Sequence, residues 1–128
     1  MKELNLHSIP NTCAPVALKY LSGKDDVEVT EACLRQGIFE DEIIEAAKLL
    51  GVTLIKMDGM KPMEVRKFQK EYPIGKFLVT THDHIFVIEN KTQVDPYLVT
   101  ENVKRVNAGK KPIPGTRRML LEAWKVIG

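Results

Sequence analysis

Apolar positions fall into two regimes along the chain. Up to about residue 50 they recur at helical spacing, and from residue 52 they come as short runs broken by turn residues. Val16, Leu18, Tyr20 and Leu21 follow Asn11-Thr12, either of which can cap a helix, and Ser22-Gly23 can stop it. Pro15 fits because it falls in the first turn, where amide donors have no helical partner. The apolar residues of this segment occupy more than one side, so the helix is expected at the centre of a core. A second helix is predicted over Val27 to Gln36, with Val29, Ala32, Cys33 and Gln36 in register and Gly37 as its stop. A third is predicted over Glu40 to Leu50, where Ile43, Ala46, Ala47 and Leu50 share one face ahead of Gly51.

The second regime reads as strands. Val52 to Met57 is the first, followed by an Asp58-Gly59 turn. Pro62 is suited to a first helical position, with Val65, Phe68, Gln69 and Tyr72 continuing that pattern to Pro73. Lys76 to Thr80 and Ile85 to Glu89 are two further strands, and Glu89-Asn90-Lys91-Thr92 turns into Gln93-Val94-Asp95. Positions 85–88 are all apolar, which suits a strand buried on both faces. Residues 101–118 are polar and basic, with Lys104, Arg105, Lys110, Lys111, Arg117 and Arg118 among Gly and Pro, and are expected to form a solvated loop. Met119 to Ile127 is apolar enough to dock and fits either helix or strand. Met57, Met60 and Met63 are expected as core filler, and Trp124 as a packing anchor. Helices first and an antiparallel sheet second argue for an α+β domain.

Composition changes this picture little. A chain of 128 residues with 44% hydrophobic and 28% charged residues suits one soluble domain spanning 1–128, and a formal charge of +2 does not by itself call for nucleic acid. No apolar run approaches the roughly 20 residues that span a bilayer. The start, Met1 to His7, carries an acidic residue and lacks the apolar core of a signal peptide. Two cysteines do not make a secreted disulfide framework, although a Cys13–Cys33 bridge stays open. A cytoplasmic protein is the expectation. No glycine-rich phosphate motif supports a nucleotide cofactor.

The chemistry-bearing residues are Cys13, His84 and Asp95. Cys13 falls one residue past a plausible cap, where the positive end of a helix stabilises a thiolate and the Cys13 amide can serve an oxyanion. His84 opens the buried run. On an extended segment His82 and His84 would share a face, with Asp83 on the other. Asp95, one hairpin later, is near enough to hold the second nitrogen of the His84 ring. A sheet packed across the end of the first helix would bring the three together. Taken singly, each residue has an ordinary structural explanation, and only their combination points to nucleophilic catalysis.

Three pieces, Cys13-Ala14-Pro15-Val16-Ala17-Leu18, Asp83-His84-Ile85-Phe86-Val87-Ile88 and Val94-Asp95-Pro96, resemble the papain-like cysteine peptidases. Among these they are most similar to the compact bacteriocin-processing type often called C39-like. The resemblance covers those pieces in order across about residues 7–96, and the Cys-to-His spacing suits compact members better than papain itself. It implies a papain-like α+β fold, with N-terminal helices packed on a C-terminal antiparallel sheet. It also implies a cofactor-free thiol hydrolase acting on the peptide, isopeptide or related amide bond of a protein or peptide substrate. Cys13 would be the nucleophile, His84 the general base and acid, and Asp95 the orienting carboxylate. The family places a Gln before the Cys as oxyanion donor. No Gln stands there in this chain, and His7 or Asn11 are the side chains left for that role. Ile85 replaces the small residue that usually follows the catalytic His.

Other classes compete. The same residues serve an acyltransferase when an amine replaces water. An inactive relative would act as a protein-binding module, with the Lys/Arg segment at 104–118 as a contact for acidic protein or nucleic acid; single-stranded nucleic acid is the less favoured, because no aromatic residues interleave the charges. A zinc site built on His82-Asp83-His84 with Asp95 or Cys13 is the weakest alternative, for want of a second ligand pair at known spacing.

Overall fold

The computed structural model describes residues 13–36, 40–82 and 84–127, with the side chains of 13–14, 33–36 and 40–42 outside that description. Three helices come first: α1 (Cys13–Ser22), α2 (Asp26–Gln36) and α3 (Glu40–Leu49). Their ends follow local chemistry. Asp25 Oδ1 accepts from the Glu28 amide at 2.9 Å and caps α2, one residue earlier than Val27. At the end of α3, Gly51 adopts φ +82°, and the Val52 and Gly51 amides return to the Ala47 and Lys48 carbonyls at 2.8 and 3.0 Å.

The remaining elements are β1 (Thr53–Lys56), β2 (Met63–Glu64), α4 (Val65–Glu71), β3 (Lys76–Thr81), β4 (His84–Glu89), β5 (Thr92–Val94), α5 (Pro96–Asn107), β6 (Met119–Leu120) and β7 (Glu122–Ile127). Five strands form one antiparallel sheet in the order β1-β7-β3-β4-β5, and β2 pairs with β6 in a separate small ladder. The fold is therefore α+β, with five helices among the described residues and a five-stranded antiparallel sheet.

The sheet is covered on both faces, which is why 85–88 is apolar throughout. On one face Leu78, Val87, Trp124 and Leu54 pack with Leu18 and Leu21 of α1, Val29 of α2 and Ile43 and Ala46 of α3. On the other, Phe77, Val79, Phe86, Ile88 and Ala123 pack with Val65 and Phe68 of α4. Met57, Met60 and Met63 fill the margin of this second core, and Trp124 is 1% exposed in the first, so both expectations for these residues hold.

Two predicted elements differ. The pattern starting at Pro62 does not begin a helix there: Met63-Glu64 pairs with β6, and α4 starts at Val65, whose amide is taken by the Arg118 carbonyl at 2.9 Å. Residues 101–118 are not a solvated loop, because α5 runs through the first part. Their remainder is held at several points: Asn102 both donates to and accepts from Ile113 at 2.7 Å, the Arg105 Nε donates to the Lys111 carbonyl, and the Thr116 carbonyl takes the Arg66 amide at 2.8 Å. The ambiguous C-terminal run is β6 and β7, and β7 lies inside the sheet between β1 and β3. Cys33 falls within α2, but its expected burial and inertness concern a side chain outside the described residues, as does a Cys13–Cys33 bridge. Among the described residues, no helix is long and apolar enough to cross a membrane.

Candidate functional site

His84 is the first residue of β4, opposite Thr81 of β3, so His82 belongs to the hairpin turn and not to an extended segment shared with His84. This corrects the face assignment from sequence: the strand period cannot be carried through a two-residue turn. Asp95 is not a strand residue either. It follows β5 and caps α5, its Oδ1 accepting from the Leu98 amide at 3.3 Å with Pro96 in the first turn.

The β4–β5 hairpin brings the two side chains together. Glu89 pairs with Thr92 across a tight turn whose residues, Asn90 and Lys91, have φ of 48° and 73°, and Val87 pairs with Val94. Continuing that register sets Asp95 beside Phe86, one pleat from His84. The His84 Nε2 then lies 3.0 Å from both carboxylate oxygens of Asp95. An ionised carboxylate only accepts, so Nε2 carries the proton and the ring is held by the nitrogen that faces Asp95. The ring also stacks on Phe86, with centroids 5.5 Å apart, and meets Tyr97 edge-on at 5.8 Å.

Asp95 is 4% exposed. Burial alone would raise its pKa, but hydrogen bonds and charge from His84 and Arg118 outweigh it and hold the carboxyl below its ordinary 3.8. Arg118 is the participant that sequence reading missed. Its Nη1 donates to Asp95 Oδ2 at 2.8 Å, and its guanidinium lies 4.2 Å from the centre of the Phe86 ring. A basic residue in a Gly- and Pro-containing stretch carried no sign that it would turn inward. The Asp95-Pro96 step carries the local sign of a helix start, a capping carboxylate followed by Pro in the first turn.

Strand alternation puts Ile85, Val87 and Val94 against the α1 face of the sheet, and Phe86 and Ile88 against the α4 face, where His84 stacks on Phe86. The helix α1 runs beside β4 in the same direction. Tyr20 donates to Glu89 at the far end of β4, while Val16 and Ala17 line a cavity with Ile85, Val94, Pro96 and Tyr97 near its start. Cys13 opens α1 one turn, about 6 Å, before Ala17, so the helix begins towards the His84 end of β4.

The Cys13 side chain, His7, Asn11 and Asp83 lie outside the described residues, so the oxyanion candidates and the thiol itself have no described geometry. Among the described residues, no three His, Cys, Asp or Glu side chains gather as metal ligands. Compared with family models, curated proteins and solved structures, the chain matches none.

Proposed function

We propose that the protein is a papain-like cysteine peptidase or closely related thiol hydrolase, with Cys13, His84 and Asp95 as its catalytic set. The observation that carries this reading is the His84–Asp95 pair: an imidazole held by one nitrogen at 3.0 Å from a buried, ionised carboxylate, at the sheet end towards which the Cys13 helix opens. That arrangement supports base catalysis because the ring orientation and tautomer are set in advance.

With Nε2 bound to Asp95, proton exchange with the thiol runs through Nδ1. The Cys13 thiol gives its proton to Nδ1, and the thiolate attacks the amide carbon, forming a C–S bond. The imidazolium returns that proton to the leaving nitrogen as the C–N bond breaks. Water then attacks the thioester, Nδ1 takes its proton, and the thiol leaves with it. Asp95 stays a carboxylate throughout and stabilises the imidazolium. The helix end lowers the energy of the thiolate before substrate arrives.

The test is the pH dependence of Cys13 alkylation by iodoacetamide, read by mass spectrometry beside His84→Ala. A paired thiolate reacts well below pH 7 and loses that reactivity in His84→Ala. Reaction only near the ordinary thiol pKa of about 8.5, indifferent to His84, would sink the reading. A second reading, an inactive relative acting as a binding module, is favoured by the absence of a Gln before Cys13. Loss of one oxyanion donor typically costs about 10²–10³ in rate. An activated Cys13 that turns over no amide substrate would select this second reading.

A further inference from the structure

Asp95 is claimed from three sides, by His84, by the Leu98 amide and by Arg118. All three are met at once: the cap holds Oδ1 towards the start of α5, His84 Nε2 stands at both oxygens, and Arg118 holds Oδ2 from a segment outside the hairpin.

Its guanidinium is fixed at every point the structure describes. Nε donates to the Gly115 carbonyl at 3.0 Å, Nη2 donates to Gln93 Oε1, and the plane rests on Phe86. Gln93 is itself anchored, its Nε2 donating to the Pro114 carbonyl at 3.0 Å. The backbone beneath is equally held: the Arg118 and Thr116 carbonyls accept the first amides of α4. Gly115, at φ +75°, holds a left-handed conformation that favours glycine, and a side chain there would displace its neighbours. A Cβ there would stand 2.7 Å from Leu98, 2.9 Å from Arg118 Nη2 and 2.9 Å from Gln93 Oε1. The turn is thus shaped around the guanidinium.

We propose that Arg118 is the positioning residue of this site: clasped by Gly115, Gln93 and Phe86, it pins the Asp95 carboxylate in the orientation that receives His84 Nε2. The fork of the guanidinium matters as well as its charge, because separate N–H groups hold Asp95, Gln93 and Gly115 at once. The pair is therefore assembled by the segment that leads into β6 and β7, and only when that segment is docked. The part of the proposal that concerns thiol reactivity rests on the hydrolase reading. The part that concerns His84 does not.

The experiment follows the His84 side chain by ¹⁵N-resolved NMR in the full chain, with Arg118→Gln, Arg118→Lys and Gly115→Ala beside the unaltered protein. Iodoacetamide alkylation of Cys13 at pH 6 is read on the same samples. The unaltered protein should show a protonated, slowly exchanging Nε2. Arg118→Gln should speed that exchange by about tenfold or more and lower the alkylation rate by roughly 10–100-fold, by analogy with the loss on removing the hydrogen-bonded partners behind metal-bound histidines. Arg118→Lys, which keeps charge without the fork, should restore only part of both. Gly115→Ala, which leaves every charge in place, should move His84 in the same direction. Should Arg118→Gln fail to fold, the other two variants carry the comparison. An unchanged His84 signature in the folded variants overturns the proposal. A changed signature, in a protein whose Cys13 alkylation ignores His84, upholds Arg118 and overturns the hydrolase reading.

Discussion

Asp95 shows how much one buried carboxylate is asked to do. It accepts from His84, Arg118 and the α5 amide while almost wholly out of water. Removing its charge leaves Arg118 and an imidazolium at His84 without their counter-charge, although an Asn can still cap α5. Asp95→Asn should therefore lower stability by about 3–5 kcal/mol, the range for breaking a buried pair from one side; urea unfolding at neutral pH measures it. The same residue predicts a pH dependence. Its folded-state pKa lies below the ordinary 3.8, so its contribution is present above about pH 3.8 and is lost as pH falls through the lower, folded-state value. The slope of stability against pH below 3.8 should flatten in Asp95→Asn. A full slope in that variant would mean that other carboxylates carry the acid response. From sequence, Asp95 and His84 were legible as a pair because a tight hairpin brings the segments that carry them together. Arg118 was not, since nothing local distinguishes an inward-turned arginine from a solvated one.

Among elements, the β4–β5 hairpin sets the geometry of the pair, and its turn is imperfect in a useful way. Asn90 tolerates a left-handed conformation and also accepts from the Gly75 amide at 2.8 Å, but Lys91 holds φ 73° with a full side chain. Lys91→Gly should stabilise the protein by about 0.5–1 kcal/mol, the relief of strain exceeding the cost of a freer unfolded chain. A raised urea midpoint with an unchanged slope checks it. The helix α5 is the opposite case. It has no buried residue in its length and leaves Val99, Val103 and Val106 exposed, so burial periodicity was a poor guide to it. Capping chemistry at Asp95-Pro96 was the better signal, and the polar character of 101–118 concealed it.

For the whole molecule, the decisive feature is that the last strand is central. With β7 between β1 and β3, removing residues 119–128 would open the sheet in its middle and strip Trp124 from one core and Ala123 from the other. Such a truncation should fail to fold, lacking dispersed amide NMR signals, even though every proposed catalytic residue would remain. Cys13→Ala should do the reverse: thermal unfolding close to the parent, with any hydrolysis abolished.

What the sequence determined by itself was whatever local periodicity and turn chemistry encode. Three N-terminal helices, two of them ending at Gly23 and Gly51, the β3–β4 and β4–β5 hairpins and the proximity of His84 to Asp95 all depend on residues close together in the chain. Tertiary structure decided the rest. The β7 segment is too short and too evenly apolar for its own pattern to choose between helix and strand, and only the open edges of β1 and β3 settle it. Arg118 turns inward because Asp95, Gln93 and Phe86 converge on it from a different hairpin. The sheet face that His84 occupies was fixed by where the turn begins, which a period of two cannot locate. Contacts between distant segments carry no local signature, so these features emerge only when the chain is folded.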